Sequence, residues 1–305
     1  MTAFALAAAL CIDAVLGEPR WLWDRAPHPA VLMGRAIAAL DRRINTPPFA
    51  RLKGTLALAA LVLAAGLLGW ALAQLGTGVS VLVAAILLAQ RSLVAHVADV
   101  AHGLRQSTTA GRHAVSMIVS RDVRDASPSA VTRSAIESLS ENFSDGVIAP
   151  AFWFLIAGLP GILVYKTVNT ADSMIGYLTP RHAQFGWAAA RLDDVLNWVP
   201  ARLSALLIAS VGGALRHWPD IRADARLHRS PNAGWPEAAM ARAHDIALAG
   251  PRVYHGTPQD LAWVHPAGRR DLAPPDIDAS LAIVWKAWAA ALGTTFGLGV
   301  LIWIF

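Results

Sequence analysis

Residues 54–75 restrict the fold more than any other feature of the chain: 22 consecutive positions carry no charged side chain. A helix of that length, rising about 1.5 Å per residue, reaches across the roughly 30 Å hydrocarbon core of a bilayer. Residues 281–305 form a second run, interrupted only by Lys286 near its start. Composition agrees. The 305-residue chain is 55% hydrophobic and 15% charged, where a soluble domain carries about 25% charged residues. The chain therefore reads as an all-α polytopic integral membrane protein, with spanning helices and re-entrant helical hairpins, forming a single membrane-embedded domain over residues 1–305.

Apolar helices are expected over about 2–16, 54–75, 79–98, 147–164, 199–215 and 281–305, with a loop-rich cytoplasmic segment over 216–280. The first lacks a basic leader and a small-residue cleavage site, so it reads as a retained helix. Residues 147–164 contain Gly158-Leu159-Pro160-Gly161. That break suits a turn between two short helices, a re-entrant hairpin, better than one kinked span. Basic residues set the expected orientation. Seven fall in 17–53 and six in 90–146, which places both segments on the cytoplasmic side. The net charge of +5 is dispersed among acids, with only three lysines, so no nucleic-acid partner is expected. A single cysteine, Cys11, excludes a disulfide framework.

Three polar stretches lie beside these apolar runs: 137–150 (ESLSENFSDGVIAP), 165–177 (YKTVNTADSMIGY) and 191–202 (RLDDVLNWVPAR). Ionisable groups next to membrane spans are costly and usually functional. Arg133, Glu137 and Glu141 share a helix face, which intrahelical pairing alone could explain. Glu141-Asn142 and Asp145-Gly146 sit where the chain enters an apolar run, and oxygen donors of that kind suit a hard cation such as Mg²⁺. Lys166, Asn169, Thr170 and Ser173 line one face with Asp172 at its edge, a set suited to phosphate and metal or to a solvated interface. Asp193 and Asn197 are one turn apart. Asp194, about 100° around the helix, serves a different partner, and Arg191 precedes them. Arg121-Asp122 and His228-Arg229-Ser230-Pro231-Asn232 read as loop clusters with donors for an anion. His96, Asp99 and His102 read as the polar face of an amphipathic helix. The chain has no G-x-x-x-x-G-K-[ST], H-E-x-x-H or G-x-S-x-G pattern, so any use of ATP does not involve a P-loop.

Taken in order, the chain resembles the adenosylcobinamide-phosphate synthase family of cobalamin biosynthesis. The likeness runs nearly end to end. It rests on Asp13, Gly17-Glu18-Pro19, Pro27-His28-Pro29, Gly34, Arg121-Asp122, Glu141-Asn142, Asp145-Gly146, Pro150, Tyr165-Lys166, Asn169-Thr170 and Asp172-Ser173-Met174. It continues through Gly176-Tyr177, Arg191, Asp193-Asp194, Asn197, Pro200-Ala201-Arg202, Ser230-Pro231-Asn232, Trp235, Glu237, Gly250-Pro251 and Tyr254. Ser120, the Ala241–His244 stretch and Ala249 depart from the family pattern. The resemblance implies an ATP-dependent ligase of the inner membrane with its active site facing the cytoplasm. It would join the propionate carboxylate of adenosylcobyric acid to aminopropanol phosphate or a related amino alcohol. ATP and Mg²⁺ are the implied cofactors. The implied partners are a corrinoid substrate, an amino-alcohol phosphate and the lipid bilayer, with a homo-oligomer or other corrinoid-pathway enzymes as further contacts. On this reading Glu141, Asp145, Asp172 and Asp193 hold metal, and Asp194, Lys166 and Asp172 are catalytic. Substrate and phosphate contacts fall to Arg121, Asn142, Asn169, Ser173, Arg191, Asn197, Arg202, His228, Ser230 and Asn232. The rival readings are a transporter, whose polar groups would line a path through both leaflets, and a non-catalytic membrane sensor, which would lack these carboxylates and the lysine.

Overall fold

The computed structural model describes residues 2–119, 122–254, 257–259 and 261–305. The helices are α1 (Thr2–Leu16), α2 (Arg20–Trp23), α3 (Pro29–Ile44), α4 (Ala50–Ala73), α5 (Thr77–Leu87), α6 (Gln90–Gln106), α7 (Thr108–Ser116), α8 (Pro128–Phe143), α9 (Ala149–Ile175), α10 (Trp187–Leu196), α11 (Trp198–Val211), α12 (Trp218–Ala225), α13 (Gly234–His244) and α14 (Pro274–Ile304). The described residues also form two small antiparallel strand pairs. Strand β1 (Leu248–Ala249) pairs with β4 (Trp263–Val264), and β2 (Arg252–Tyr254) with β3 (Thr257–Gln259).

Among the described residues, four helical stretches are long and apolar enough to cross a membrane: Ala50–Ala73, Thr77–Gln106, Pro128–Ile175 and Pro274–Ile304. The protein is thus an all-α polytopic membrane protein. The helix expected over 79–98 is two helices, α5 and α6, because Leu88 is extended (φ −79°, ψ 158°). The helix expected over 281–305 begins earlier, at Pro274. There Asp276 accepts the backbone N–H of Ala273 at 2.8 Å, the reach-back half of a capping box. Segment 216–280 contains α12, α13 and the strands between its loops.

The chain divides into two compact units. The first comprises Met1–Ala89, Ala149–Asn197 and Thr294–Phe305. His28 starts α3 by accepting the Ala30 N–H through Nδ1 at 3.2 Å, and Pro29 follows at the first helical position. The other ring nitrogen, Nε2, lies 3.1 Å from the Ile86 carbonyl at the end of α5. The two contacts together require the Nε2-protonated tautomer, with Nε2 donating. This accounts locally for the Pro27-His28-Pro29 motif.

Within α9 the helix is sharply broken. Gly158 has φ 61° and ψ −148°, a conformation that suits glycine. A Cβ placed on Gly161 would fall 2.2 Å from the Trp153 carbonyl oxygen, eight residues back. In a straight helix eight residues advance about 12 Å. The break expected at Gly158-Leu159-Pro160-Gly161 is therefore present as a sharp kink. Beyond the kink, Ile37, Leu58, Val168, Ala171, Ile175, Phe185 and Ala189 close a core between α3, α4, α9 and α10. The connection from α9 to α10 is tight: a Cβ on Gly186 would sit 1.6 Å from the Ile175 carbonyl oxygen. Asp41 braces the same connection. Its carboxylate accepts from Arg181 at 2.7 Å and from Asn45 at 2.8 Å. Burial alone would raise its pKa, but the Arg181 and Asn45 hydrogen bonds outweigh burial and hold it below the usual carboxylate range.

The second unit comprises Gln90–Ile148 and Trp198–Gly293. Ser127 caps α8 by accepting the Ala130 N–H, ahead of Pro128. Glu137, 1% exposed, accepts the N–H of Ala249 at 2.7 Å. It thereby ties α8 to β1 at a residue of positive φ, rather than simply continuing a surface stripe with Arg133. A carboxylate so buried needs such a donor.

Candidate active site

In the first unit, four side chains from the second half of α9 and from α10 form one hydrogen-bonded chain. The Tyr165 hydroxyl donates to Asn197 Oδ1 at 2.9 Å. Asn197 Nδ2 donates to Asp193 Oδ2 at 2.9 Å, and Asn169 Nδ2 donates to Asp193 Oδ1 at 3.3 Å. Tyr165, Asn197 and Asp193 are all buried. Spacing explains the assembly. Tyr165 and Asn169 are one turn apart on α9, and Asp193 and Asn197 are one turn apart at the end of α10. The two pairs interlock across the helix contact. Asp194 is directed elsewhere, with its Oδ2 3.3 Å from Arg191 Nη1.

Lys166, half-buried, lies on the same stretch of α9. Thr170 and Ser173 each spend their hydroxyl proton on a carbonyl one turn back, Lys166 O at 2.7 Å and Asn169 O at 2.9 Å. Both oxygens keep lone pairs with which to accept. Asp172 is half-buried at the end of α9. Its Oδ1 occupies the space that a side chain on Gly176 would need, 2.0 Å from the would-be Cβ. That gives the Gly176-Tyr177 motif a steric basis.

The second unit contains its own polar cluster. Arg202 Nη1 donates to Asn232 Oδ1 at 3.0 Å and to the Trp198 carbonyl at 2.7 Å. Its guanidinium packs against two indoles, 4.5 Å from the Trp198 ring and 4.7 Å from the Trp235 ring. Ser230 Oγ accepts the N–H groups of Asn232 and Ala233, both at 3.2 Å. His228 Nδ1 accepts the Ser230 N–H at 3.1 Å, and its Nε2 is 3.7 Å from Glu237 Oε1. Arg202 is thus gathered with His228, Ser230 and Asn232, some thirty residues further along the chain.

The remaining expected residues are placed as follows. Glu141 and Asn142 are exposed near the end of α8, where Asn142 donates to the Ser138 carbonyl at 2.9 Å. Asp145 is half-buried in the π-helical turn Ser144–Ile148, a rare geometry often found at functional sites. Asp122 accepts from Arg124 through both carboxylate oxygens, and those hydrogen bonds lower its pKa to about 2. Arg121 lies outside the described residues, as does Ser120. His96 and His102 are exposed on α6, as expected for a polar face.

Among the described residues no three His, Cys, Asp or Glu side chains gather into a metal-holding group. Glu141 and Asp145 belong to the second unit, Asp172 and Asp193 to the first. The donor chemistry around Asp193 nevertheless fits Mg²⁺. It offers carboxylate and amide oxygens, and Mg²⁺ sites commonly take one or two carboxylates and complete the shell with water and phosphate oxygens. Two features escape sequence reasoning: the hydroxyl of Tyr165 as an anchor for Asn197, and the Asp41–Arg181 brace. The i, i+4 spacing of Tyr165 with Asn169 is the available signal for the first.

Membrane-length helices together with a buried polar network between α9 and α10 define a polytopic membrane protein with a built polar site. The CobD/Cbib protein family model matches residues 6–284. The chain belongs to that family. It is 48% identical to the cobalamin biosynthesis protein CobD of Rhizobium meliloti (strain 1021), covering 92% of each chain. It is 46% identical to the protein of that name from a Sinorhizobium species, over 97% of this chain and 98% of the relative. It is 42% identical to the one from Rhodobacter capsulatus, over 98% and 97% respectively. No solved structure matches the chain.

Proposed function

We propose that the protein acts in cobalamin biosynthesis as an ATP-dependent membrane ligase. It would join the propionate carboxylate of adenosylcobyric acid to the amine of aminopropanol phosphate or a related amino alcohol, giving adenosylcobinamide phosphate. The pathway follows from the family and from the names its relatives carry. One observation supports the chemistry best: the buried carboxylate of Asp193, held by two amides, with Lys166 and Asp172 on the helix it packs against.

A carboxylate is a poor acylating agent. The substrate carboxylate would take the terminal phosphoryl group of ATP, with release of ADP. The amine would then attack the carbonyl carbon, and phosphate would leave as the C–N bond forms. Lys166 and Arg191 are cations suited to the phosphate oxygens, one a point charge and the other a planar fork. Asp194 is suited to accept the proton that the attacking ammonium must lose. Asp193, with Asp172, would hold Mg²⁺, which when bound offsets charge on the transferred phosphoryl group. Asn169 and Asn197 fix the Asp193 carboxylate, so its position is set before substrate arrives. The Arg202–Asn232–Ser230–His228 cluster of the second unit is rich in groups for a phosphate or amide.

The test is ATP-dependent coupling of adenosylcobyric acid to aminopropanol phosphate by the purified protein in detergent, with the product identified by its mass. Product formation that requires ATP and stops on chelation of Mg²⁺ supports the reading. A folded, monodisperse protein that gives no product with any amino alcohol phosphate refutes it. Asp172→Asn should abolish coupling and leave the protein folded in the membrane.

A further inference from the structure

The first unit carries an apolar groove beside the proposed site, with Arg191 at their shared edge. It lies between α4 and α10, with a volume of about 490 Å³, and Leu58, Val62, Ala188, Leu192 and Val195 supply its walls. Trp187 also lines it, and the Arg51 guanidinium stacks 3.6 Å from the centre of that indole. Among the described residues no carboxylate is within ion-pair distance of Arg51. The two polar residues in the lining are already engaged: the Thr55 hydroxyl donates to Arg51 O at 2.8 Å, and Arg191 pairs with Asp194. The groove walls thus present mainly hydrocarbon, with the Arg51 guanidinium on Trp187 beside them and no carboxylate on it among the described residues.

Its surroundings define the medium it meets. α4 is a membrane-length helix, and only 11% of its most apolar window is buried. Arg51 and Lys53 are its charged end, and residues 54–75 carry no charge. From Arg51 to Val62 the helix advances about 16 Å, close to the roughly 15 Å depth of one leaflet of a bilayer's hydrocarbon core.

We propose that this groove binds one acyl chain of an anionic phospholipid, with the headgroup phosphate on the Arg51 guanidinium. Arginine matches phosphate through paired N–H donors. Trp187 holds the guanidinium at the level where tryptophans of membrane proteins sit, the interface between headgroups and tails.

The experiment measures retention of dioleoylphosphatidylglycerol by the full-length protein, using native mass spectrometry from detergent, with dioleoylphosphatidylcholine as competitor. Wild type should retain the anionic lipid in preference. Arg51→Gln, at an exposed position, should weaken that lipid about fivefold, the effect of one surface cation, while leaving phosphatidylcholine unchanged. Ala59→Phe, which fills the groove, should reduce both lipids, provided its melting temperature in lipid-free detergent matches wild type. Water-soluble glycerol phosphate should not displace the lipid. Equal retention of both lipids by wild type, or unchanged phosphatidylglycerol binding in Arg51→Gln, would overturn the proposal. Displacement by glycerol phosphate would also do so, by showing a phosphate site without a chain site. None of these readouts depends on ligase activity.

Discussion

Asp193→Asn tests the candidate site through stability and chemistry at once. In the native protein both Asp193 oxygens accept, one from Asn169 and the other from Asn197. An asparagine has one carbonyl oxygen and one NH₂ group, so one of the two neighbouring amides would face a donor instead of an acceptor. The loss is one charge-assisted hydrogen bond, worth about 1.5–3 kcal/mol, at a buried position. Interhelical hydrogen bonds in membrane proteins average nearer about 0.6 kcal/mol, so about 1–2 kcal/mol of destabilisation is expected. Ligation should fall by roughly two orders of magnitude or more. The double variant Asp193→Asn with Asn169→Asp separates the two effects. The new amide on α10 could then accept from Asn197 and donate to the new carboxylate on α9, so every donor again meets an acceptor. Stability should return to within about 0.5 kcal/mol of wild type, a non-additivity expected of directly bonded neighbours. Activity should stay low, because the carboxylate has moved to the opposite helix, and displacements of even about 1 Å can cost a hundredfold in rate. Unfolding in detergent gives the stability, and the ATP-dependent coupling assay gives the rate. If Asp193→Asn is as stable as wild type, the network does not form. If the double variant regains full rate, the position of the carboxylate is irrelevant and the assignment fails.

Three further outcomes follow from the geometry. Tyr165→Phe removes the hydroxyl that donates to Asn197 Oδ1 within the buried chain of side chains; a loss of about 1–2 kcal/mol with a lower kcat is expected, and unchanged unfolding and kinetics would show the hydroxyl to be idle. Gly186→Ala should lose most folded protein, because its Cβ would meet the Ile175 carbonyl oxygen at 1.6 Å; normal yield and melting would contradict the described connection. Burial holds the His244 pKa below its ordinary 6.5, so the folded state resists protonation. Stability should be complete above the unfolded value of about 6.5 and should fall as pH drops from there towards the lower folded value; His244→Gln should flatten that part of a melting-temperature profile, and an unaltered slope would assign the effect elsewhere.

What can be read from residues alone divides along a physical line. Chain-local signals are reliable. The uncharged run 54–75 requires a membrane-length helix and forms most of α4, and Gly158-Leu159-Pro160-Gly161 signals a break and forms the kink within α9. Helical spacing puts Asn169 with Lys166 and separates Asp193 from Asp194, and those two carboxylates do face different partners. Pairings across the chain leave no such trace. Nothing local says that Tyr165 reaches Asn197, that Glu137 is used by Ala249, or that Arg202 packs against Trp235. Periodicity reports which face of a helix is polar, whereas the partner of that face is set by topology. The same distinction explains the break at Leu88. The sequence of residues 79–98 is helical throughout by pattern, and the interruption falls where His28, some sixty residues earlier in the chain, meets the Ile86 carbonyl. A carbonyl in the last turn of a helix has no partner within it, and an imidazole N–H supplies one. Replacing His28 by alanine should therefore loosen both the start of α3 and the end of α5, although the substitution lies in neither helix; hydrogen exchange that slows or quickens at neither end would show the imidazole bridge to be absent.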